Sequence, residues 1–106
     1  MQRWTVTVRQ GREIYLTLER WEHILSKHPE LCGRLEDVLL TVRTGRRKQS
    51  KLDPQTFCYY RRVAGLPEPY DTIMIFVAFR YRSSTAQDAV ISNSFVTTAW
   101  GDVSTI

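Results

Sequence analysis

Apolar and polar residues alternate along the first part of the chain. WTVTVR (4–9) and REIYLTL (12–18) flank Gln10 and Gly11, a pattern that predicts a β-hairpin. From Leu18 the period lengthens: Leu18, Trp21, Leu25 and His28 follow at spacings of three, four and three, with Ile24 beside them, so one helix face is apolar. Thr17 is placed to cap this helix and Glu19 to favour its first turn. Pro29 disfavours helical backbone at the residue before it, so the helix should end near Lys27 or His28. Proline also suits the first position of a new helix. Leu31, Leu35, Val38, Leu39 and Val42 supply a second apolar stripe, which Gly45 can stop; Gly33 weakens its start, so the regular part should begin nearer Arg34.

Beyond Gly45 the pattern is that of a sheet. TFCYYRRV (56–63), TIMIFVAFRYR (72–82) and AVISNSFVTTAW (89–100) are rich in aromatic and β-branched residues, and RRKQSKL (46–52) reads as a fourth strand at an edge, where its lysines discourage further pairing. The connections AGLPEPYD and SSTAQD carry turn residues and no helical crossover, so neighbouring strands should run antiparallel. The expected class is α+β: an N-terminal hairpin and two helices packed on a mostly antiparallel four-stranded sheet, with TIMIFVAF as the central strand. At 106 residues the chain should form a single domain, 1–106, and the tail GDVSTI is expected to be loose.

Composition narrows the classes. With 42% hydrophobic and 25% charged residues, wholesale disorder is excluded. No stretch approaches the apolar length that spans a bilayer, and MQRWTVTVRQ lacks the apolar core of a secretory signal, so no membrane association and a cytoplasmic location are expected. Cys32 and Cys58 have neither metal-ligand spacing nor the density of a disulfide scaffold, and read as reduced and packed. The net charge of +4 is unevenly distributed: Arg43, Arg46, Arg47, Lys48, Lys51, Arg61 and Arg62 stand within twenty residues against Asp53 alone. Such a basic segment suits an anionic partner, most simply nucleic-acid phosphate, or else is a solvated basic face.

The chemistry-bearing residues each have a structural alternative. His23 groups with Glu19, Arg20 and Lys27 on the polar side of its helix and reads as a surface residue. His28 continues the apolar stripe, so it is either a cap between two helices or an imidazole free to exchange a proton near neutral pH. The two histidines, five apart, splay on a helix, and no metal site or cofactor is expected. There is no glycine-rich phosphate loop and no G-x-S-x-G elbow. In CYYRRV, Tyr59 and Arg61 share one strand face while Cys58, Tyr60 and Arg62 share the other, so one arginine should lie opposite the helices. An arginine there can clamp phosphate and a tyrosine can stack a base or give a proton; otherwise these are surface arginines beside core tyrosines. In FVTTAW, Thr98 should share a face with Val96 and Trp100, and Thr97 with Phe95 and Ala99.

The order helix, KHPE, second helix, basic edge, YYRR, apolar strand, VTTAW resembles the small nuclease-like domains grouped with barnase, EndoU, the tRNase colicins and RelE, and within them the phage and mobile-element branch. The resemblance covers about residues 17–100 and rests on short motifs. It implies metal-independent RNA cleavage by attack of a 2′-hydroxyl on the adjacent phosphate, in a toxin or mobile-element effector with RNA (tRNA, rRNA or mRNA) and a protein antitoxin or inhibitor as partners. His28 would act as general base or acid, Arg61 or Arg62 as phosphate clamp and Thr98 as a donor, with Tyr59 or Tyr60 assisting and Arg46, Arg47, Lys48 and Lys51 along the RNA. The sequence departs from the pattern in TTAW, where an extra threonine makes Thr97 an alternative to Thr98. Two rival readings use the same residues: a non-catalytic RNA- or ribosome-binding module, and a protein-interaction domain whose basic edge docks an acidic partner.

Overall fold

The computed structural model describes residues 2–83 and 90–104. The hairpin consists of β1 (Arg3–Thr7) and β2 (Glu13–Thr17), in register from Arg3 opposite Thr17 to Thr7 opposite Glu13. Its turn uses Gly11 at φ +81°, a conformation glycine adopts without steric cost. Helix α1 (Leu18–Lys27) starts at Thr17, whose hydroxyl accepts from the Arg20 amide at 3.1 Å. It stops at His28, which leaves helical geometry at φ −131°, ψ 70° ahead of Pro29. Proline then opens a 3-10 turn, Pro29–Leu31, rather than the second helix itself; α2 (Leu35–Thr44) begins after Gly33 and ends at Gly45.

The remaining strands are β3 (Arg46–Gln49), β4 (Thr56–Arg62), β5 (Thr72–Ser83) and β6 (Val90–Asp102). They join the hairpin in one sheet of order β1-β2-β6-β5-β4-β3. The sheet is mostly antiparallel, as expected, but its expected four strands are corrected to six, and it is mixed because the hairpin joins it with β2 parallel to β6 at Tyr15 and Phe95. The crossover that this parallel pairing needs is everything between the two strands, so no single connection reveals it. The SSTAQD connection lies, after Ser83, outside the described residues. The tail is ordered further than expected: Gly101 and Asp102 belong to β6, and the Ser104 amide donates to Asp71 Oδ1 at 2.7 Å.

Alternation along β5 divides its apolar run between the two sheet faces. Ile73, Ile75, Val77 and Phe79 enter a core with Trp21 and Ile24 of α1, Val38 and Val42 of α2, and Ile14 and Leu16 of β2. Burying each such side chain contributes about 1.5–3 kcal/mol, which holds both helices on this one face. Met74 and Phe76 point to the opposite face, half-buried. A bulge between Phe76 and Val77 shifts the partner strand, where the Thr97 hydroxyl donates to the Phe76 carbonyl at 3.1 Å. Strict alternation is corrected there: Val96 is in the core, while Phe95, Thr98 and Trp100 pair with residues of the other face. The two cysteines also differ, Cys58 being buried and Cys32 exposed rather than packed.

The adjacent arginines of β4 part in the same way. Arg61 turns under α2, where its Nε donates to Thr41 Oγ1 at 3.2 Å and its terminal nitrogen reaches the Asp37 carbonyl at 3.2 Å and carboxylate at 3.3 Å. Arg34 holds the other carboxylate oxygen of Asp37 at 3.1 Å. Arg62 faces outward, 67% exposed, and meets Asp71 at 3.7 Å.

Arg61→Ala should therefore lower stability by about 1–2 kcal/mol, discounted for partial solvent screening, and Arg62→Ala by less than about 0.5 kcal/mol, measured by urea unfolding. Asp71, whose carboxyl is held below its usual range by the Ser104 amide and the Thr72 hydroxyl, with Arg62 helping, provides a second check. A depressed carboxylate stabilises above its unfolded value, 3.8, and that contribution is lost as pH falls through the folded value. The protection factor of the Ser104 amide, its exchange rate relative to the unfolded chain at the same pH, should be high at neutral pH, fall below that range, and be low throughout in Asp71→Ala.

Candidate nucleic-acid interface

Both helices lie on the core face, and among the described residues no helix covers the other face. Register places a row across it: Arg46 of β3 opposite Tyr60 of β4, Tyr60 opposite Met74 of β5, Met74 opposite Trp100 of β6. The next row is Lys48, Cys58, Phe76 and Thr98; on the other side Arg62 pairs with Thr72 and Thr72 with Asp102. Strands stand about 4.8 Å apart, so the row from Arg46 to Trp100 spans roughly 14 Å. Its aromatic members are half-buried, leaving ring surface in contact with water. Phe76 and Trp100 lie 4.7 Å apart at an interplanar angle of 31°, and Lys48 Nζ stands 5.7 Å from the centre of the Tyr60 ring. Tyr15 and Phe95, 5.9 Å apart with Arg3 over Tyr15, extend the aromatic surface toward the hairpin.

His28 reaches the rim of this face because β2 pairs with β6 only near Tyr15 and Phe95. Past that point the edge of β6 lacks a strand partner, and α1 with its 3-10 turn lies alongside instead. Glu30 Oε2 accepts the Gly101 amide at 2.9 Å, so a side-chain carboxylate meets a backbone donor that a strand would otherwise satisfy. Gly101 is required for this approach: a Cβ there would stand 2.8 Å from Glu30 Cγ. The same carboxylate oxygen lies 3.6 Å from His28 Nδ1, with the imidazole 32% exposed and Glu30 10% exposed. The imidazole stands 5.9 Å from the Trp100 ring at 40°. His28 is thus a cap in its backbone, its amide donating to Ile24 at 2.7 Å, and a partly exposed ring in its side chain.

Of the residues singled out from sequence, His28, Thr98, Tyr60, Arg62, Arg46 and Lys48 share this face or its rim. Arg61 and Tyr59 point to the other face: Arg61 is engaged by Asp37 and Thr41, although it also lines the hollow at the end of the row, and Tyr59 is 2% exposed in the core. Arg47 pairs opposite Tyr59, so it projects to the other side of the edge strand, its guanidinium 4.5 Å from the Phe57 ring. Lys51 stands in the loop after β3, beyond the sheet edge. Thr97 is occupied at the bulge, leaving Thr98 as the threonine of the open face. Three contributors escaped the sequence reading. Glu30 was visible in HPE only as part of a motif; its place two residues after His28, across a proline turn, was the available signal. Trp100 and Phe76 read as ordinary strand aromatics, because their common face depends on the register between β5 and β6.

The row ends in a hollow of about 670 Å³ lined by Arg46, Lys48, Tyr60, Arg62, Met74 and Asp102 among others. The cations and the single aromatic ring, Tyr60, that line it suit a phosphate backbone with a stacked base. Cys58 adds no nucleophile to the face: burial pushes its thiol pKa up, which disfavours the thiolate. Among the described residues no group of three or more histidine, cysteine, aspartate or glutamate side chains is placed to hold a metal ion, and no helix is long and apolar enough to cross a membrane. No protein-family model matches the chain, and no curated protein or solved structure matches it either, so its function rests on this geometry alone.

Proposed function

We propose that the chain is a metal-independent endoribonuclease that holds single-stranded RNA across the open face of its sheet and cuts it beside His28. The observation that supports this most is the pairing of an accessible imidazole with a carboxylate at the rim of an aromatic and cationic face. With Nδ1 turned to Glu30, Nε2 is the nitrogen left for a substrate, and the carboxylate holds the ring in that orientation. Cleavage by the 2′-hydroxyl needs that proton transfer, alignment of the attacking oxygen with the phosphate, and charge stabilisation as the pentavalent phosphate forms. Trp100 and Phe76 offer a stacking surface that aligns a base next to His28, and Thr98 a hydroxyl donor on the same strand. Arg62 is the arginine of the pair on this face, and its long, exposed contact with Asp71 is weak enough to be exchanged for phosphate.

A non-catalytic RNA-binding module is favoured by a different observation. The cations placed on the face stand on β1, β3 and β4, two or three strands from Trp100, and Arg61 is committed to Asp37. A platform of two or three bases needs no group beside His28 to contact phosphate.

Purified tRNA and rRNA, incubated with the protein in EDTA, separate the two. Cleavage that persists in EDTA and falls at least about 100-fold in His28→Ala supports the enzyme; RNA binding without cutting, unchanged in that variant, supports the module. Under either reading Trp100→Ala should weaken binding of a single-stranded oligonucleotide by about 1–3 kcal/mol. Lys48→Gln should weaken it evenly across sequences and reduce the salt dependence of log K by about one unit. Binding that ignores both changes would remove the open face from consideration.

A further inference from the structure

A second hollow, about 310 Å³, opens on the edge of the domain between the β1–β2 turn, the end of α2 and β3. Its lining includes Arg9, Arg43, Arg46, Arg47 and Tyr59. Arg9 and Arg43 stand on elements that take no part in the open-face row. None of these arginines forms an ion pair with a carboxylate among the described residues; Arg9 donates to the Thr44 carbonyl at 2.9 Å and Arg47 lies over Phe57. The carbonyl end of α2 points to the same place, but a helix terminus supplies only about half a negative charge. With Arg46 turned to the open face, the guanidinium groups of Arg9, Arg43 and Arg47 around this cavity remain well short of neutrality. Tyr59 also lines the hollow, but its hydroxyl is sealed from solvent and so from a ligand held there.

We propose that this hollow is an anion site for a terminal phosphate or diphosphate group. Such a group carries enough charge to balance several arginines and accepts their paired hydrogen bonds in the planar geometry that guanidinium favours. The volume admits a compact group and not a base-stacked strand, which sets this site apart from the open face. It is independent of the cleavage reading, since a protein that never cuts RNA could fill it. The group can belong to a small phosphate compound or to the 5′ end of an RNA.

Calorimetric titration with inorganic pyrophosphate at low salt, ionic strength matched with chloride, tests the site. Saturable binding is expected in wild type and equally in His28→Ala, with about tenfold weakening in Arg43→Gln and in Arg9→Gln. Oligonucleotides of one sequence with a 5′-phosphate or a 5′-hydroxyl identify the source: a preference for the phosphate that Arg43→Gln removes assigns the site to RNA ends. Pyrophosphate binding without that preference assigns it to small phosphate compounds. Absence of saturable binding by either probe, or equal affinity in wild type and Arg43→Gln, would overturn the proposal whatever the cleavage assay shows.

Discussion

Every feature of this domain depends on burying one face of β5 and leaving the other bare. Ile73, Ile75 and Val77 are shielded from water by both helices, whereas Met74 and Phe76, one residue out of phase, keep partial access to solvent. Because strand side chains alternate, that single choice propagates sideways through every paired strand. It sends Tyr59 and Arg61 inward with Ile75 and Ile73, and Tyr60 and Arg62 outward with Met74 and Thr72. A register slip of one residue would exchange the two sets and bury the charge of Arg62 where Arg61 now meets Asp37.

The second constraint is the short contact between β2 and β6. A full-length pairing would have covered the far edge of β6 and kept α1 away from it. Since the pairing is confined to the neighbourhood of Tyr15 and Phe95, the turn at Pro29 can bring Glu30 onto the Gly101 amide. His28 arrives at the open face as a consequence. Its ring is positioned by the same carboxylate that completes the sheet edge, so a structural contact also sets where the imidazole stands. The proposed catalytic reading and the proposed binding reading both draw on that arrangement, and they differ only in whether a phosphate comes within reach of the imidazole.

Positive charge is divided between two places with different surroundings. On the open face, Lys48 and Arg62 stand beside half-exposed rings in a wide hollow, a setting suited to an extended polyanion. Around the second hollow the guanidinium groups come from three separate elements, the β1–β2 turn, α2 and β3, and enclose a smaller space. β3 lies between them, sending Arg46 and Lys48 to one side and Arg47 to the other. A run of basic residues that looks uniform along the chain thus serves two surfaces.

What the sequence determined by itself was everything governed by local period and punctuation. Leu18 to Leu25 announced α1, Thr17 its cap, Pro29 its end, and the aromatic and β-branched runs announced the strands, because these signals act over a few residues. The split of Tyr59 and Arg61 from Tyr60 and Arg62 was legible for the same reason. Tertiary structure decided what period cannot carry: that the hairpin joins the main sheet in parallel, that a bulge at Thr97 moves Phe95 outward and Val96 inward, and that Arg61 is the arginine taken by Asp37. It also decided that Glu30 reaches Gly101, residues far apart in the chain, and so where His28 stands. These outcomes depend on which distant backbone donors and charges remain unmatched after the core closes, and no window of neighbouring residues holds that information.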